Sequence, residues 1–258
     1  GHPMKMRRYQ SGFSLVELMV AMALGLLITG AALSLFSTNQ RMFQLQQGES
    51  ELQEQGYLAM RFIVEDVRMA GFHDISVGAA PSPVINTSSP SIPASSDGGN
   101  SGNDRMTISY HGFRDCEGNP SASTSRREII NTYWVDDDGQ LKCRDNQAVP
   151  LTSGVTLLAG VESFQVLYGM DTTPNDQVAF ASQYVPADQL SAHFASDHLV
   201  LSLKIAMLLK NSAPAVGAGP EKSFYVLDTS KDVDSSQSLF PQFFVSYTPL
   251  TLPTLYPA

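Results

Sequence analysis

Residues 13–36 form an apolar run whose single charge is Glu17, preceded by the basic stretch Lys5-Met6-Arg7-Arg8. At about 1.5 Å per residue the run reaches roughly 36 Å as a helix, enough to cross a hydrocarbon core of about 30 Å. Lys5, Arg7 and Arg8 lie before it, and Arg41 is the next positive charge beyond it. The leader is therefore expected on the cytoplasmic side of the inner membrane and everything after Arg41 on the outer, periplasmic side. A carboxylate inside such a span costs about 2.5–3.5 kcal/mol on insertion scales, which marks Glu17 as a functional group in need of a partner.

A secretory signal would have a shorter apolar region and small residues at its far end, whereas here the small residue, Gly12, comes before the run. A plain anchoring helix accounts for the length but not for Glu17 or Gly12. The stretch Gly12-Phe13-Ser14-Leu15-Val16-Glu17 resembles the class III signal of type IV pilins and pseudopilins. The resemblance implies that a prepilin peptidase cuts after Gly12 and N-methylates Phe13, and that Glu17 becomes the acidic fifth residue of the mature chain. It further implies that the new ammonium on Phe13 of one subunit meets Glu17 of the next, so that two groups costly in isolation are paired on assembly. Gly1-His2-Pro3 is expected to be extraneous, with the native start at Met4, and residues 1–12 are set aside as leader.

Beyond the span, residues 37–70 lack proline, and Leu45, Leu52, Gly56, Ala59, Ile63, Val67 and Ala70 recur on one face of a 3.6-residue period. Glu49, Glu51, Glu54, Arg61, Glu65 and Arg68 fall mostly elsewhere, so this half is amphipathic and suited to covering a sheet. One helix is expected over 13–70, its first half (13–36) transmembrane and its second (37–70) amphipathic, with Gly71 as C-cap. Residues 79–103 shift to Ser, Pro, Gly and Asn, and 71–104 reads as a loop, more a mobile linker than a recognition surface. Strand signals follow at 105–110, 128–135, 140–144, 161–169, 199–209, 223–227 and 243–248, with a turn at Asp137-Asp138-Gly139. Strands that follow one helix without alternating helices predict an α+β fold: a long N-terminal helix packed on an antiparallel sheet, with 105–258 as the β-rich periplasmic region.

The chain has 258 residues, 43% of them hydrophobic and 16% charged, a globular composition with room for one anchored domain of about 200 residues. Net charge is −9 and becomes more acidic once the leader is removed, which excludes a nucleic-acid partner. Cys116 and Cys143 are the only cysteines. In an oxidising compartment they read as a disulfide, worth roughly 3–4 kcal/mol for a loop of this length, with two free thiols as the alternative. Neither CxxC spacing nor nearby histidines suggest a metal site at the cysteines.

His73, His111, His193 and His198 are scattered, and the last two, five apart, do not share a helix face suited to a metal. Asp136-Asp137-Asp138 reads as a hairpin turn with solvated charges. The loop carrying Asp171, Asn175 and Asp176 is the better calcium candidate, since some pseudopilins bind calcium near their sheet. No set of acid, base and nucleophile matches a catalytic pattern, so no enzyme and no cofactor are expected.

Tyr133-Trp134-Val135, then Asp138-Gly139-Gln140-Leu141-Lys142-Cys143 and Gly160-Val161-Glu162-Ser163-Phe164-Gln165-Val166-Leu167-Tyr168-Gly169, resemble the PilW family of type IV pilus minor pilins. They are similar, less closely, to J-type minor pseudopilins of type II secretion. The resemblance covers most of 12–209 and leaves 233–258 unmatched. Many major pilins carry proline where this chain has Ser34, and Gly25 and Gly30 lower helix propensity here instead. The resemblance implies a minor pilin that joins other minor pilins, and the major pilin, to prime, cap or enter a type IV pilus. A J-type pseudopilin and an anchored adhesin or calcium-binding module are the alternatives.

Overall fold

The computed structural model describes residues 12–99, 102–121, 125–145, 154–174, 178–210, 222–233 and 242–250. The chain divides into two units, residues 1–47 and 48–258. The described part of the first is helix from Leu15 onward, and the helix, α1 (Leu15–Met69), runs on into the second. The first unit's large apolar side chains stand open, with Phe13 85% and Leu26 75% exposed. An 18-residue window of α1 has a mean hydropathy of 2.2, so the helix is long and apolar enough to cross a membrane.

In the second unit α1 buries Leu52, Gly56, Ala59, Met60, Ile63 and Val67. Five of them are on the face the 3.6-residue pattern marked, and Met60 is added; of the other two marked residues, Ala70 is buried just past the helix and Leu45 is only half-buried. The helix ends where Gly71 takes φ 79, a left-handed conformation that glycine adopts without strain. The Gly71 N–H donates to Ser109 O (2.8 Å), welding the helix end to the first strand.

The strands are β1 (Met106–Gly112), β2 (Arg127–Val135), β3 (Gln140–Asp145), β4 (Val155–Ala159), β5 (Val161–Asp171), β6 (Gln183–Val185), β7 (Leu199–Leu209), β8 (Lys222–Val226), β9 (Thr229–Val233) and β10 (Gln242–Pro249). A 3-10 turn (Ala187–Gln189) and a short helix, α2 (Leu190–Phe194), lie between β6 and β7. All pairings are antiparallel, in an α+β fold as expected. The single expected sheet is instead two, ordered β1-β2-β3-β4 and β10-β7-β5-β6, with β8-β9 as a separate hairpin. The chain passes from one sheet to the other at Gly160, whose φ of 77 breaks the run between β4 and β5. The break is pinned by Val161 N–H to Gly139 O and Lys210 N–H to Gly160 O, each 2.9 Å.

One core joins the buried face of α1 to Met106, Ile108, Tyr133, Leu141, Phe164, Val166, Leu203 and Ile205. β7 is buried on both faces, because Ala206 and Leu208, opposite the predicted apolar face, pack with Val226 of β8.

The stretch after α1 differs from the mobile linker expected. Ile85 N–H donates to Thr107 O (3.0 Å) and Ser95 N–H to Ile85 O (2.8 Å), while Val84 is fully buried. Thr107 also donates its hydroxyl to Pro93 O (2.7 Å) and its N–H to Ser95 Oγ (2.9 Å). Prolines without N–H groups keep this segment from a regular ladder, so side chains complete the pairing along β1.

Candidate functional site

Gly12, Phe13 and Ser14 precede α1, and the Leu18 N–H caps onto Ser14 O (3.2 Å). Glu17 sits in the first helical turn, exposed, where a negative charge suits the positive end of the helix dipole. Among the described residues, a Cβ placed on Gly12 would meet no atom within 4 Å.

Sequence reasoning missed the polar knot at the other end of α1. Asp66 accepts hydrogen bonds from Tyr133 Oη (2.5 Å), Asn131 Nδ2 (2.8 Å) and Tyr110 Oη. Tyr133 and Asn131 are fully buried and Tyr110 nearly so. Burial pushes the Asp66 carboxyl upward from its ordinary pKa, while the three donors pull it down. Burial and the Asp66 charge likewise hold both tyrosines above the usual phenol range.

The knot extends to the disulfide, since Asn131 Oδ1 accepts the Cys116 N–H (3.3 Å). Cys116 and Cys143 are joined, tying β3 to the loop after β1. Beside them Arg127 bridges two buried carboxylates, Asp115 (3.0 Å) and Asp145 (2.8 Å). The signal for this knot was an acid on the buried side of a helix end, which has meaning only once the facing strands are known.

The acidic stretch after β2 is a turn. Asp136 accepts the N–H groups of Asp138 (3.1 Å) and Gln140 (2.8 Å) and pairs with Lys142 (2.7 Å), which holds its carboxyl below the usual range. Of the calcium candidates, Asp171 is buried at the end of β5 and accepts the Thr173 N–H (2.9 Å), while Asn175 and Asp176 lie outside the described residues. Among the described residues no three His, Cys, Asp or Glu gather as a metal site. An open groove of about 380 Å³ between α1 and β4 is lined by Leu58, Ala59, Phe62, Leu157, Leu158 and Ala159 with Gln55 and Thr156. Both polar residues are already engaged, with Glu51 (3.0 Å) and Gln140 (2.9 Å), so no acid, base or nucleophile converges there.

Residues 7–33 match the prokaryotic N-terminal methylation motif. Residues 132–251 match the family described as Type IV Pilus-assembly protein W. The chain carries a PilW domain behind a prepilin N-terminus. The PilW match runs past residue 209, where the resemblance in sequence ended, and takes in β7 through β10. A type IV-like pilin from Thermus thermophilus is similar with a TM-score of 0.42 and 13% identity, over 77% of this chain and 95% of that one. No curated protein matches the chain.

Proposed function

We propose that this PilW-type pilin is a minor pilin that joins other minor pilins to prime, cap or enter a type IV pilus. The observation that carries the reading is the continuity of α1. One unbroken helix joins the methylation-motif segment, with Glu17 in its first turn, to a stem that is knotted to the sheets through Asp66.

Prepilin peptidase is the proposed processing enzyme, acting between Gly12 and Phe13. The span lies in the inner membrane before assembly, with the β-domain on the periplasmic side. The buried disulfide suits an oxidising compartment. Its proposed work is binding to other pilins.

Co-purification of the full-length chain from membranes tests the reading. Recovery of other minor pilins is the expected result. Recovery of type II secretion pseudopilins alone would favour the J-type alternative, and recovery of neither would overturn the assembly role.

A further inference from the structure

The sheet β1-β2-β3-β4 ends at β4, and among the described residues no strand or loop backbone pairs with the side of β4 away from β3. Such an edge offers a row of main-chain N–H and C=O groups to any extended chain that reaches it. Edges are commonly guarded by a lysine, a proline or an inward charge, and Val155-Thr156-Leu157-Leu158-Ala159 has none of these. Its one irregularity is a bulge. Leu141 pairs with Leu158 and Lys142 with Thr156, which leaves Leu157 as an extra residue without a partner on β3. Adjacent side chains of a regular strand face opposite ways, yet Leu157 packs against the core and lines the groove next to α1 together with Leu158. The bulge thus adds Leu157 to the apolar wall.

The opposite wall is α1, from which Leu58 (55% exposed) and Phe62 (40% exposed) stand over the groove. The two polar side chains of the lining, Gln55 and Thr156, are engaged by Glu51 and Gln140. What the groove has left to offer is apolar surface and the main chain of β4. That combination fits an extended segment, whose backbone pairs with β4 while every second side chain enters between Leu58, Phe62 and Leu157. A helix would satisfy its own main chain and leave the edge of β4 open.

Charge narrows the partner. Glu51 and Glu54 are exposed on α1, each one turn before Gln55 and Leu58, so that rim of the groove is acidic. The chain as a whole carries −9. A basic residue at the end of the segment is therefore favoured, and a second copy of this chain is not. Antiparallel pairing of two β4 strands meets another obstacle. Its two-fold axis stands perpendicular to the sheet and reverses the direction of α1, which lies against the sheet, so two copies anchored in one membrane could not pair this way.

We propose that the groove between α1 and β4 receives an extended apolar segment of another pilin, which adds a strand to β4 and brings a lysine or arginine to Glu51 and Glu54. The proposal rests on the assembly reading above and names the surface that serves it.

The test uses the full-length chain in its own membranes. Leu58→benzoylphenylalanine places a photoreactive ring at the groove, and Tyr225→benzoylphenylalanine, at an 81% exposed position on β8, is the control. Irradiation should join the first, but not the second, to a chain with a prepilin N-terminus, through an extended segment identified by mass spectrometry. In the purified complex, the amides of residues 155–159 that exchange fast in the chain alone should slow at least tenfold, which side-chain contact without strand pairing does not produce. Leu58→Glu combined with Phe62→Glu should lower recovery of the partner at least tenfold, as should Glu51→Lys combined with Glu54→Lys at fully accessible positions. Melting shows which variants are folded. Cross-links to a second copy or to the chain itself, or equal cross-links from both positions, overturn the proposal, and so does unchanged exchange in β4. If both folded double variants recover other pilins as well as the parent does, the groove is refuted and the assembly reading stands. If the parent recovers no pilin, both are refuted.

Discussion

Asp66 shows how one residue decides whether a helix is docked or merely adjacent. Its carboxylate is the shared acceptor for Tyr110, Tyr133 and Asn131, so Asp66→Ala strands three buried donors at once. Leaving such groups without an acceptor costs about 1–3 kcal/mol each where no relaxation occurs, and the three share relaxation. Asp66→Ala is expected to lower stability by about 2–4 kcal/mol in urea denaturation, and Tyr110→Phe by about 1 kcal/mol.

Asp104 makes a comparable clamp, taking the Gly98 N–H (2.9 Å) and the Val166 N–H (2.7 Å). Burial pushes its carboxyl up to about 6 against these two bonds, with the charges of Asp97 and Asp228 adding to the rise. A raised folded pKa means that the folded state holds the proton more tightly than the unfolded state, whose value is about 3.9. The Asp104 contribution is therefore greatest below about pH 4 and declines as pH rises to about 6, by up to about 3 kcal/mol. Denaturation of the parent and of Asp104→Asn at steps between pH 4 and 7 checks this. The difference between the two proteins should fall through that window and then level off, and a flat difference would refute the assignment.

At the scale of elements, loops and caps carry as much of the design as the strands. The Cys116–Cys143 bond joins β3 to the loop after β1, and that loop also holds Asp115 against Arg127. Replacing both cysteines with serine should cost about 3 kcal/mol through loop entropy. The melting temperature of the parent under reductant should fall to that of the double variant. The Pro- and Ser-rich segment before β1 was legible as irregular but not as packed. Its attachment depends on Ser95, Thr107 and Pro93 meeting across the fold, a contact no local pattern encodes. β4 escaped prediction for a related reason: it is five residues long and, among the described strands, pairs only with β3. Short edge strands need little regular alternation to be stable. The Schellman turn after α2 was hidden because an aspartate, not a glycine, takes the left-handed position.

For the whole molecule, the decisive question is how Glu17 is paired. In assembly the proposed partner is the N-terminal ammonium on Phe13 of a neighbouring subunit, a pairing that fixes the axial offset between chains. Glu17→Ala is expected to leave membrane insertion and cleavage intact while abolishing incorporation into the minor-pilin complex. Fractionation, a cleavage shift on gels and co-purification read these three outcomes separately, and normal incorporation of the variant would refute the pairing. What the sequence determined by itself was whatever lies in local pattern. The apolar run, the 3.6-residue face of α1, most strands and the Gly12–Glu17 signal are all readable because periodicity and motif spacing act along the chain. Tertiary structure alone decided the division into two sheets, the knot at Asp66, the clamp at Asp104 and the meeting of His193 with His198, whose Nδ1 atoms lie 2.8 Å apart. Each depends on groups distant in sequence or on a backbone reversal, and their energies arise from burial and shared hydrogen bonds that exist only once the chain has folded.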